Sequence, residues 1–466
     1  MKKKAKPVFF SYKKQLNGII IAVVSVCVLL STITVQAALG GNEQIHHHPS
    51  WKQYPYEPPG TEIVFPDDEG SHNGEYTVEW WYANFLLTGQ DTGNQYGAFI
   101  AFYLIQSGFA ENLEIRFLSI SDIANEFTYT NAKIGTLSAS TDYFDLCFTP
   151  LFGNQVLDTD IYQQGSPQNL GDGGQQQFIA INEDHSFVHQ QPVPPDNQDT
   201  WKTKIDENDE LLPFQYELDI RGKAQQDDHQ PMRLIMDMDC DKKPLIVAGD
   251  GHVVLDDDPD GAFSYYYSLT KVNTSGSLTV RGITEPVSGK AWIDHQWGNF
   301  SDTTHQSIGL VVTYEWFSIK LENYQEIMVG DIWDRATGEK IDQSFSDGLN
   351  LVDSEGTLEL IEDYTITQLE YWTDPMIGNT YASQWQISAN SPSTSLNLII
   401  TPLYPDQMMR VLENWPLIQK KLSQYLAATG FWEGICTVEG DFNGQPISGN
   451  AYVELTHYYN DDEPLR

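Results

Sequence analysis

The sequence has few basic residues, and this shortage restricts the partners of the protein. Of 466 residues, 26 are Lys or Arg and 65 are Asp or Glu, so the net charge is −39. A negative field of this strength repels nucleic-acid phosphates and anionic lipid surfaces, which excludes a role in binding DNA or RNA. Aromatic residues nevertheless make up 12% of the chain. They are enough to fill a core and exclude a disordered acidic chain.

Cysteine is also scarce, with four residues in the whole chain. Cys27 lies in the apolar N-terminal run, which leaves Cys147, Cys240 and Cys436. Three is an odd number without a CxxC motif, so the sequence indicates neither a disulfide framework nor a zinc site. At most one bridge can form among the three, and the spacing does not identify its partners.

The common local signatures of catalysis and metal binding are missing too. There is no GxSxG, HExxH or P-loop motif, and no GxGxxG after a strand, so hydrolase, metalloprotease, kinase and dinucleotide-binding functions are not indicated. The segment 256–260 begins like an EF-hand loop, but Tyr267 occupies the position of the bidentate Glu. A looser calcium turn and a solvated acidic turn both stay open. His46, His47 and His48 lie in a predicted flexible leader, and we predict no metal and no cofactor.

The first 37 residues have the order of a secretory signal. Six lysines precede an apolar run, Ile19–Val35, and Val35-Gln36-Ala37 supplies the small residues that a signal peptidase reads. We expect cleavage after Ala37 and a periplasmic or secreted protein, with 38–54 as a flexible leader. The alternative is an uncleaved anchor, because 18–35 is just long enough to span a bilayer. Membrane contact is expected only through that anchor.

The exported chain has the pattern of β-structure. Short apolar or alternating runs are separated by turns rich in Gly, Asn, Asp and Pro. Examples are Ala98–Gln106, Leu113–Ser119, Phe263–Leu269 and Leu396–Thr401. Helical spacing at Met408–Leu426 predicts one helix near the C-terminus. The segment 152–210, rich in Gln, Asp, Gly and Pro, is predicted to form long loops or an insertion.

An internal repeat predicts two related β-domains. The motif Glu79-Trp80-Trp81-Tyr82 opens one β-rich stretch, and Glu315-Trp316-Phe317-Ser318 opens another. The stretches also close alike, with Pro286–Asp294 in the first and Pro446–Glu454 in the second. Antiparallel sheets of this size usually close into barrels or sandwiches, because closure removes exposed edges. The predicted domains span 55–300, which contains the insertion, and 310–460.

The segment 290–298 carries the most informative combination of side chains. Asp294 and His295 occur there among tryptophans, and on a strand their side chains would point to opposite faces. Burial among aromatic rings raises the pKa of a carboxyl group and makes it a plausible proton donor. The alternative is that Asp294 and His295 satisfy buried backbone groups at a barrel rim while the tryptophans plug its end. The residues by themselves favour this structural role.

Together these motifs resemble the lipocalin-like family that includes bacterial carotenoid 1,2-hydratases (hydroxyneurosporene synthases), fungal kievitone hydratase and secreted AttH-type proteins. The resemblance implies an all-β fold of two tandem lipocalin-like (calycin-type) antiparallel β-barrel domains with an apolar pocket. The matching segments follow in order along the chain: Phe65–His72, Glu79–Tyr82, Ser264–Ser268, Ala291–Trp297, Glu315–Phe317, Phe431–Gly434 and Gly449–Thr456.

For the hydratases, the resemblance further implies cofactor-free addition of water to an isoprenoid double bond. An acid protonates the alkene, aromatic faces stabilise the cation and water captures it. The His-x-Trp element of these enzymes corresponds to His295 and Trp297, and the proton-donating acid corresponds to Asp331. Val329 stands where the hydratases would have an accompanying Tyr.

Two functions follow as hypotheses, and a third stays open. The first is a hydratase or cyclase that acts on an unsaturated apolar substrate, with Asp331, His295 and Asp294 as catalytic residues. The second is a non-catalytic carrier of an apolar ligand or lipid, and the third is an interaction module with a plugged interior. The predicted pocket residues are Glu79, Trp81, Tyr82, Tyr266, Trp297 and Trp316. We expect the catalytic acids and His295 to converge with Glu79, Tyr82, Tyr266 and Trp297 on one apolar cavity.

Full-length protein expressed in a bacterium should be recovered as soluble periplasmic or extracellular material that starts at Ala38. The reason is the lysine-rich start followed by an apolar run and a cleavage-type site. Cell fractionation and N-terminal sequencing measure this directly. Retention of residues 1–37 in the membrane fraction would contradict the prediction and support an anchor.

Overall fold

The fold is built from strands and short 3-10 turns. The computed structural model describes residues 50–70, 72, 76–105, 113–136, 160–163, 199–208, 210–226, 230–254, 262–299, 312–334, 337–341, 348–410 and 430–459. No α-helix occurs in these ranges, and the predicted all-β class is confirmed.

Counted over the described residues, the structure has two sheets, and the first consists of twelve strands. They are β1 (Val78–Gly89), β2 (Gln95–Ile105), β3 (Leu113–Asp122), β4 (Phe127–Thr136), β5 (Asp160–Gln163), β6 (Thr200–Ile205), β7 (Leu211–Lys223), β8 (Pro231–Cys240), β9 (Leu245–Ile246), β10 (His252–Val254), β11 (Phe263–Val280) and β12 (Ile283–Asn299). Their order is β5-β4-β3-β2-β1-β12-β11-β8-β7-β6, and β9 and β10 pair with β11. All pairs are antiparallel except β4 with β5.

Eleven strands form the second sheet. They are β13 (Val312–Leu321), β14 (Glu326–Asp334), β15 (Lys340–Ile341), β16 (Leu349–Val352), β17 (Leu358–Ile361), β18 (Tyr364–Thr373), β19 (Thr380–Asn390), β20 (Ser395–Pro402), β21 (Met408–Arg410), β22 (Gly430–Phe442) and β23 (Gln445–Leu455). Their order is β17-β16-β14-β13-β23-β22-β20-β19-β18, with β15 on β14 and β21 on β22. In both sheets the first strand pairs with the last, and the domain boundaries themselves stay a prediction.

The repeated sequence motifs occupy equivalent strands, but their register differs by two residues. In the first sheet, Ala291 lies opposite Phe85, which follows the opening glutamate by six residues. In the second sheet, Ala451 lies opposite Ile319, which follows its opening glutamate by four residues. Side chains on a strand alternate with a period of two, so this difference leaves every side chain on its original face.

Three apolar clusters hold the molecule together, one inside each sheet and one between the sheets. The cluster between the sheets, here called the inter-sheet core, contains Tyr82, Phe99, Phe117, Tyr266 and Trp292 of the first sheet and Trp316, Met328, Phe431, Ile435 and Tyr452 of the second. Strands that contribute to it are buried on both faces, as β14 is along nearly its whole length. This is why such strands have continuous apolar runs in place of strict alternation.

A buried ion pair brings distant strands of the first sheet together. Arg116 on β3 donates from Nε to Asp199 Oδ2 at 2.8 Å and from Nη2 to the carbonyl oxygen of Arg221 at 2.7 Å. The side chains of Arg116 and Asp199 are at most 1% exposed. Because β3 and β7 lie on opposite sides of β1 in the strand order, these contacts require the sheet to curl.

Two segments are more regular than their composition predicted. Thr200–Ile205, within the predicted insertion, is a strand in which buried Trp201 and Thr203 alternate with partly covered Lys202 and Lys204. The last residues of the predicted flexible leader are also ordered. The ring centroids of Trp51 and Tyr54 lie 5.6 and 5.3 Å from that of Phe214. Aromatic contact with the first core therefore fixes these residues in place.

Several predictions fall on residues that the structure does not describe. The signal segment 1–37, the acidic segment 256–260 and Cys147 lie outside the described residues. Met408–Arg410, the start of the predicted helix, forms a strand, and the rest of that helix lies outside them. Cys240 and Cys436 are free, buried thiols. Among the described residues, we find no helix with the length and apolar character to cross a membrane.

Each closing motif contains a glycine at a point where the paired backbone comes very close. A Cβ atom on Gly289 would lie 2.0 Å from the carbonyl oxygen of Leu86, and one on Gly449 would lie 2.2 Å from that of Lys320. No side chain tolerates such a contact, so both positions require glycine.

Replacing Gly289 by Ala should lower the free energy of unfolding by about 1–3 kcal/mol or more, because the added methyl group forces the paired backbones apart. Urea unfolding followed by tryptophan fluorescence measures the loss. Ser288→Ala, at the neighbouring partly exposed position, is the control and should stay within about 0.5 kcal/mol of the original protein. Equal stability of the two variants would contradict this account of the strand crossing.

Candidate functional site

The predicted site residues form three groups and do not share one cavity. The interior of the first sheet contains Glu79, Trp81, His295 and Trp297. The inter-sheet core contains Tyr82, Tyr266, Asp294 and Trp316. Asp331 lies inside the second sheet. The expectation that Asp331 and His295 converge is therefore wrong. Asp294 and His295 are themselves separated by their own strand, since neighbours on a strand point to opposite faces.

Asp331 belongs to a polar group inside the second sheet. It forms an ion pair with Lys340 at 2.7 Å and lies opposite Glu315 on the paired strand. Glu315 accepts hydrogen bonds from Trp385 Nε1 at 3.2 Å and from the Tyr459 hydroxyl at 2.9 Å. Burial raises the pKa of Asp331, and it raises the pKa of Glu315 to about 7. Glu315 is thus hydrogen-bonded within the second sheet, and Asp331 has Lys340 as its ion-pair partner there.

Inside the first sheet, two histidines share one carboxylate. His72 Nδ1 lies 2.7 Å and His295 Nε2 lies 3.1 Å from the same oxygen, Glu79 Oε1. The outer nitrogens of both rings are held by Asp68. Its carboxylate oxygen Oδ1 lies 3.0 Å from His72 Nε2, and its carbonyl oxygen lies 2.9 Å from His295 Nδ1. Asp68, His72, Glu79 and His295 are called the histidine cluster below.

Aromatic rings enclose the histidine cluster. His295 stacks on Trp81 with ring centroids 4.6 Å apart, and His72 stacks on Trp297 at 4.5 Å. The His295 side chain is fully buried, whereas that of His72 keeps 14% of its surface exposed. Among the described residues, the cluster is therefore closed to solvent at His295 and partly open at His72 and Asp68.

The pKa values of the two histidines in the histidine cluster shift in opposite directions. Burial would lower the pKa of His72, but hydrogen bonds and negative charge from Asp68 and Glu79 outweigh it and raise the pKa to about 9. Burial lowers the pKa of His295 despite its bond to Glu79. Burial would raise the pKa of Glu79, yet the two histidines hold it below its ordinary value. The cluster thus holds an imidazolium at His72 between two carboxyl groups, while burial disfavours the charged form of His295.

The segment preceding β1 fills the remaining interior of the first sheet. Its Glu69 carboxyl accepts hydrogen bonds from the Tyr54 hydroxyl at 2.5 Å and the Tyr216 hydroxyl at 3.0 Å. Trp81 Nε1 donates to the Glu69 carbonyl oxygen at 3.2 Å. Burial raises the pKa of Glu69 to about 7 even though these donors oppose it. Aromatic residues and the Glu69 carboxyl group thus occupy this part of the interior of the first sheet.

A cavity of about 210 Å³ lies between the two sheets. Its apolar lining includes Leu86, Ile435 and Tyr452, so strands from both sheets form its walls. Its charged lining consists of three lysines, Lys271, Lys290 and Lys320, and two acids, Glu322 and Glu326. Three lysines at one site are notable in a chain with so few basic residues. The sequence did not predict any of these lysines as site residues.

Of the three lysines that line the cavity, Lys320 is the one whose charge is least compensated. Lys271 pairs with Asp241 at 3.2 Å, and Lys290 donates to Asn273. Among the described residues, Lys320 has no hydrogen-bond or ion-pair partner, and its ammonium group lies 6.0 Å from the ring centre of Trp292. Burial lowers the pKa of Lys320 to about 8, against the negative charges of nearby acids. At pH 7 the group is still mainly cationic and available to an anion.

A line of hydrogen bonds runs from the cavity wall to a pair of buried acids. Asn84 Nδ2, at the wall, donates to the Tyr82 hydroxyl at 3.4 Å, and that hydroxyl donates to Glu433 Oε2 at 3.4 Å. Glu433 lies opposite Glu454 on the paired strand. Burial, together with the neighbouring carboxyl group, raises the pKa of Glu433 well above its ordinary value, and burial raises that of Glu454 to about 7. The pair therefore holds at least one proton at neutral pH.

Asp294 is a third buried acid on this face. Its Oδ1 accepts hydrogen bonds from Trp292 Nε1 at 2.8 Å and from the Ser268 hydroxyl. Burial raises the pKa of Asp294 to about 7 although these donors lower it. The expectation that aromatic surroundings raise the pKa of this carboxyl group is thus met, on the opposite face of the strand from His295.

The functional candidates that sequence reasoning missed were visible in part. His72 and Glu433 lie inside motifs that carry the family resemblance, and Glu433 sits among aromatic residues just as Asp294 does. Lys320 lies near the end of β13, at a position where the alternation of apolar and polar residues predicts a polar one. No local signal pairs Glu433 with Glu454 or His72 with His295, since the partners lie far apart in sequence.

Stability should fall as pH rises from 5 to 8, and Asp294 should account for part of the loss. Its pKa is 3.8 ordinarily and about 7 in the fold, so its contribution is complete below 3.8 and disappears as pH rises through 7. Asp294→Asn keeps the shape without ionising and should reduce the pH-dependent loss by about 1–3 kcal/mol. Urea unfolding at pH 5, 6.5 and 8 measures the slope, with exposed Asp363→Asn as control. Identical slopes in the two variants would refute the assignment.

Comparison with known proteins agrees with the fold. The structure is similar to that of an AttH protein from Nitrosomonas europaea, at 22% identity, with 87% of this chain and 100% of that chain covered and a TM-score of 0.58. It is also similar to kievitone hydratase from Nectria haematococca, at 15% identity, with 86% and 98% covered and a TM-score of 0.54. No curated protein matches the sequence. The sequence profile of AttH-like proteins matches residues 175–458, more than half of the chain, and the protein therefore belongs to the AttH-like family.

Proposed function

We propose that the protein binds a small apolar molecule with an anionic group in the cavity between its two sheets, and that it does so after export. The observation that carries the proposal is the Lys320 ammonium group, which lines the cavity without a partner among the described residues. An apolar wall with a few oriented polar groups is the usual composition of a ligand site. A carboxylate on an apolar chain would satisfy both parts of this cavity.

The size of the cavity limits the ligand. Pockets for drug-sized molecules occupy about 300–1,000 Å³, and this cavity has about 210 Å³. The ligand is therefore a short molecule or the end of a longer one. Medium-chain fatty acids are suitable probes, because the corresponding alcohols have the same chain without the charge.

Purified protein should bind decanoate at pH 7 more tightly than decanol, as measured by isothermal titration calorimetry. Lys320→Met keeps the apolar stem and removes the charge, so it should weaken decanoate binding about tenfold, equivalent to about 1.4 kcal/mol, and leave decanol unchanged. Leu86→Trp, which fills the cavity, should weaken both. Lys202→Met, on an exposed pair with Glu217, is the control. Decanoate affinity that is unaffected by Lys320→Met and Leu86→Trp would rule out this site.

A second candidate function is acid catalysis on an unsaturated ligand, favoured by the protonated Glu433–Glu454 pair. In such a reaction the acid would donate a proton to one alkene carbon, water would add to the other, and the proton released from that water would restore the acid. The Tyr82 hydroxyl lies between Glu433 and the cavity wall. This arrangement differs from the predicted one, in which Asp331 or Asp294 supplied the proton.

Incubation with unsaturated fatty acids and isoprenoid acids in H2-18O tests this second function. Hydration would add one labelled water to the product, which mass spectrometry detects. Glu433→Gln should abolish labelling while decanoate binding persists, because an amide keeps the shape but cannot deliver the proton. Labelling that survives Glu433→Gln would exclude this acid, and absence of labelling with all substrates would leave ligand binding as the function.

A further inference from the structure

We infer that His72, Glu79 and His295 bind a divalent transition-metal ion inside the first sheet. The three side chains offer two imidazole nitrogens and a carboxylate oxygen, all within 4.8 Å of one another. The site lies in the core of the first sheet and shares no residue with the cavity of the proposed function. The two inferences therefore stand or fall separately.

The spacing of the donor atoms suits a metal ion. Zinc bonds to histidine nitrogen and carboxylate oxygen are about 2.0–2.2 Å long, which places tetrahedral ligands roughly 3.3 Å apart. The two nitrogen–oxygen separations are 2.7 Å and 3.1 Å. Side-chain movements of less than about 1 Å would thus open the centre of the cluster to an ion, without any change in the strands.

The outer contacts of the rings are those of metal-bound histidines. A ligating histidine usually donates its second N–H group to a carboxylate or a backbone carbonyl, which fixes the tautomer and the ring orientation. Asp68 provides both kinds of acceptor, its carboxylate to His72 Nε2 and its carbonyl oxygen to His295 Nδ1. The other two nitrogens, His72 Nδ1 and His295 Nε2, both face Glu79 Oε1. They would offer their lone pairs to an ion that displaces the protons they carry.

The surroundings favour a tightly held ion with an open coordination position. Trp81 and Trp297 stack on the two imidazoles and keep water from the inner side, as apolar shells do around protein metal sites. Three protein ligands leave at least one coordination position free, and the His72 side chain is 14% exposed to solvent. Two imidazoles and a carboxylate suit zinc, iron(II) or cobalt(II) better than calcium or magnesium, which prefer oxygen ligands.

Metal titration of the chelator-treated protein tests the inference. His46, His47 and His48 are replaced by Gln in every sample, and purification avoids metal-affinity resin, so that the histidine run does not contribute. Zinc should bind at one ion per chain with submicromolar affinity by calorimetry and raise Tm. Cobalt(II) should give the visible spectrum of a low-coordinate site with nitrogen and oxygen ligands.

Variants separate a metal site from a purely structural cluster. Glu79→Gln and His295→Gln should each weaken zinc binding by about 100-fold or more, and Asp68→Asn by about 10–100-fold. His72→Gln, at the partly exposed edge, should do the same and provides the test if a buried variant does not fold. His252→Gln, on β10 outside the cluster, is the control. Absence of stoichiometric zinc binding, or binding that survives His72→Gln, would overturn the site.

Discussion

The packing of two curled sheets against each other requires their central strands to be buried on both faces. The side chains on one face of each such strand pack in the core of its own sheet, and those on the other face pack in the inter-sheet core. Any polar residue on these strands must then find its partners inside the protein, because water is excluded. Burial raises the pKa values of Asp294, Glu433 and Glu454, so these groups retain protons that exposed carboxyl groups would lose. The raised pKa values thus originate in the packing.

Much of the fold could be predicted from local patterns, and the exceptions have physical causes. The runs Ala98–Gln106 and Leu396–Thr401 correspond to β2 and β20, because alternation and turn residues specify strands directly. Strand β6 was missed since the polar composition of 152–210 concealed the alternating burial of Trp201 and Thr203. The docked end of the leader was missed because Trp51 depends on Phe214, a distant partner.

The site was harder to predict, because local sequence gives the face of a side chain but not what that face meets. Alternation correctly placed Asp294 and His295 on opposite sides of β12. It could not reveal that one side is the inter-sheet core and the other the interior of the first sheet. Asp331 was assigned by resemblance, and its strand belongs to a different sheet from His295. The sequence also has no short-range ligand motif that joins His72 and Glu79 with His295. Their proximity therefore could not be predicted.

The two-residue difference in register shows how two β-units of similar topology can differ in their interior side chains. A strand pair can slip only in even steps, because an odd step would turn its core side chains outward. The slip changes the residue facing the opening glutamate: Trp297 faces Glu79, whereas Leu455 faces Glu315. One copy thus surrounds its glutamate with histidines and the other with Tyr459 and Trp385. A shift of one strand by two residues thus places different side chains around the glutamate, while the order of the strands stays the same.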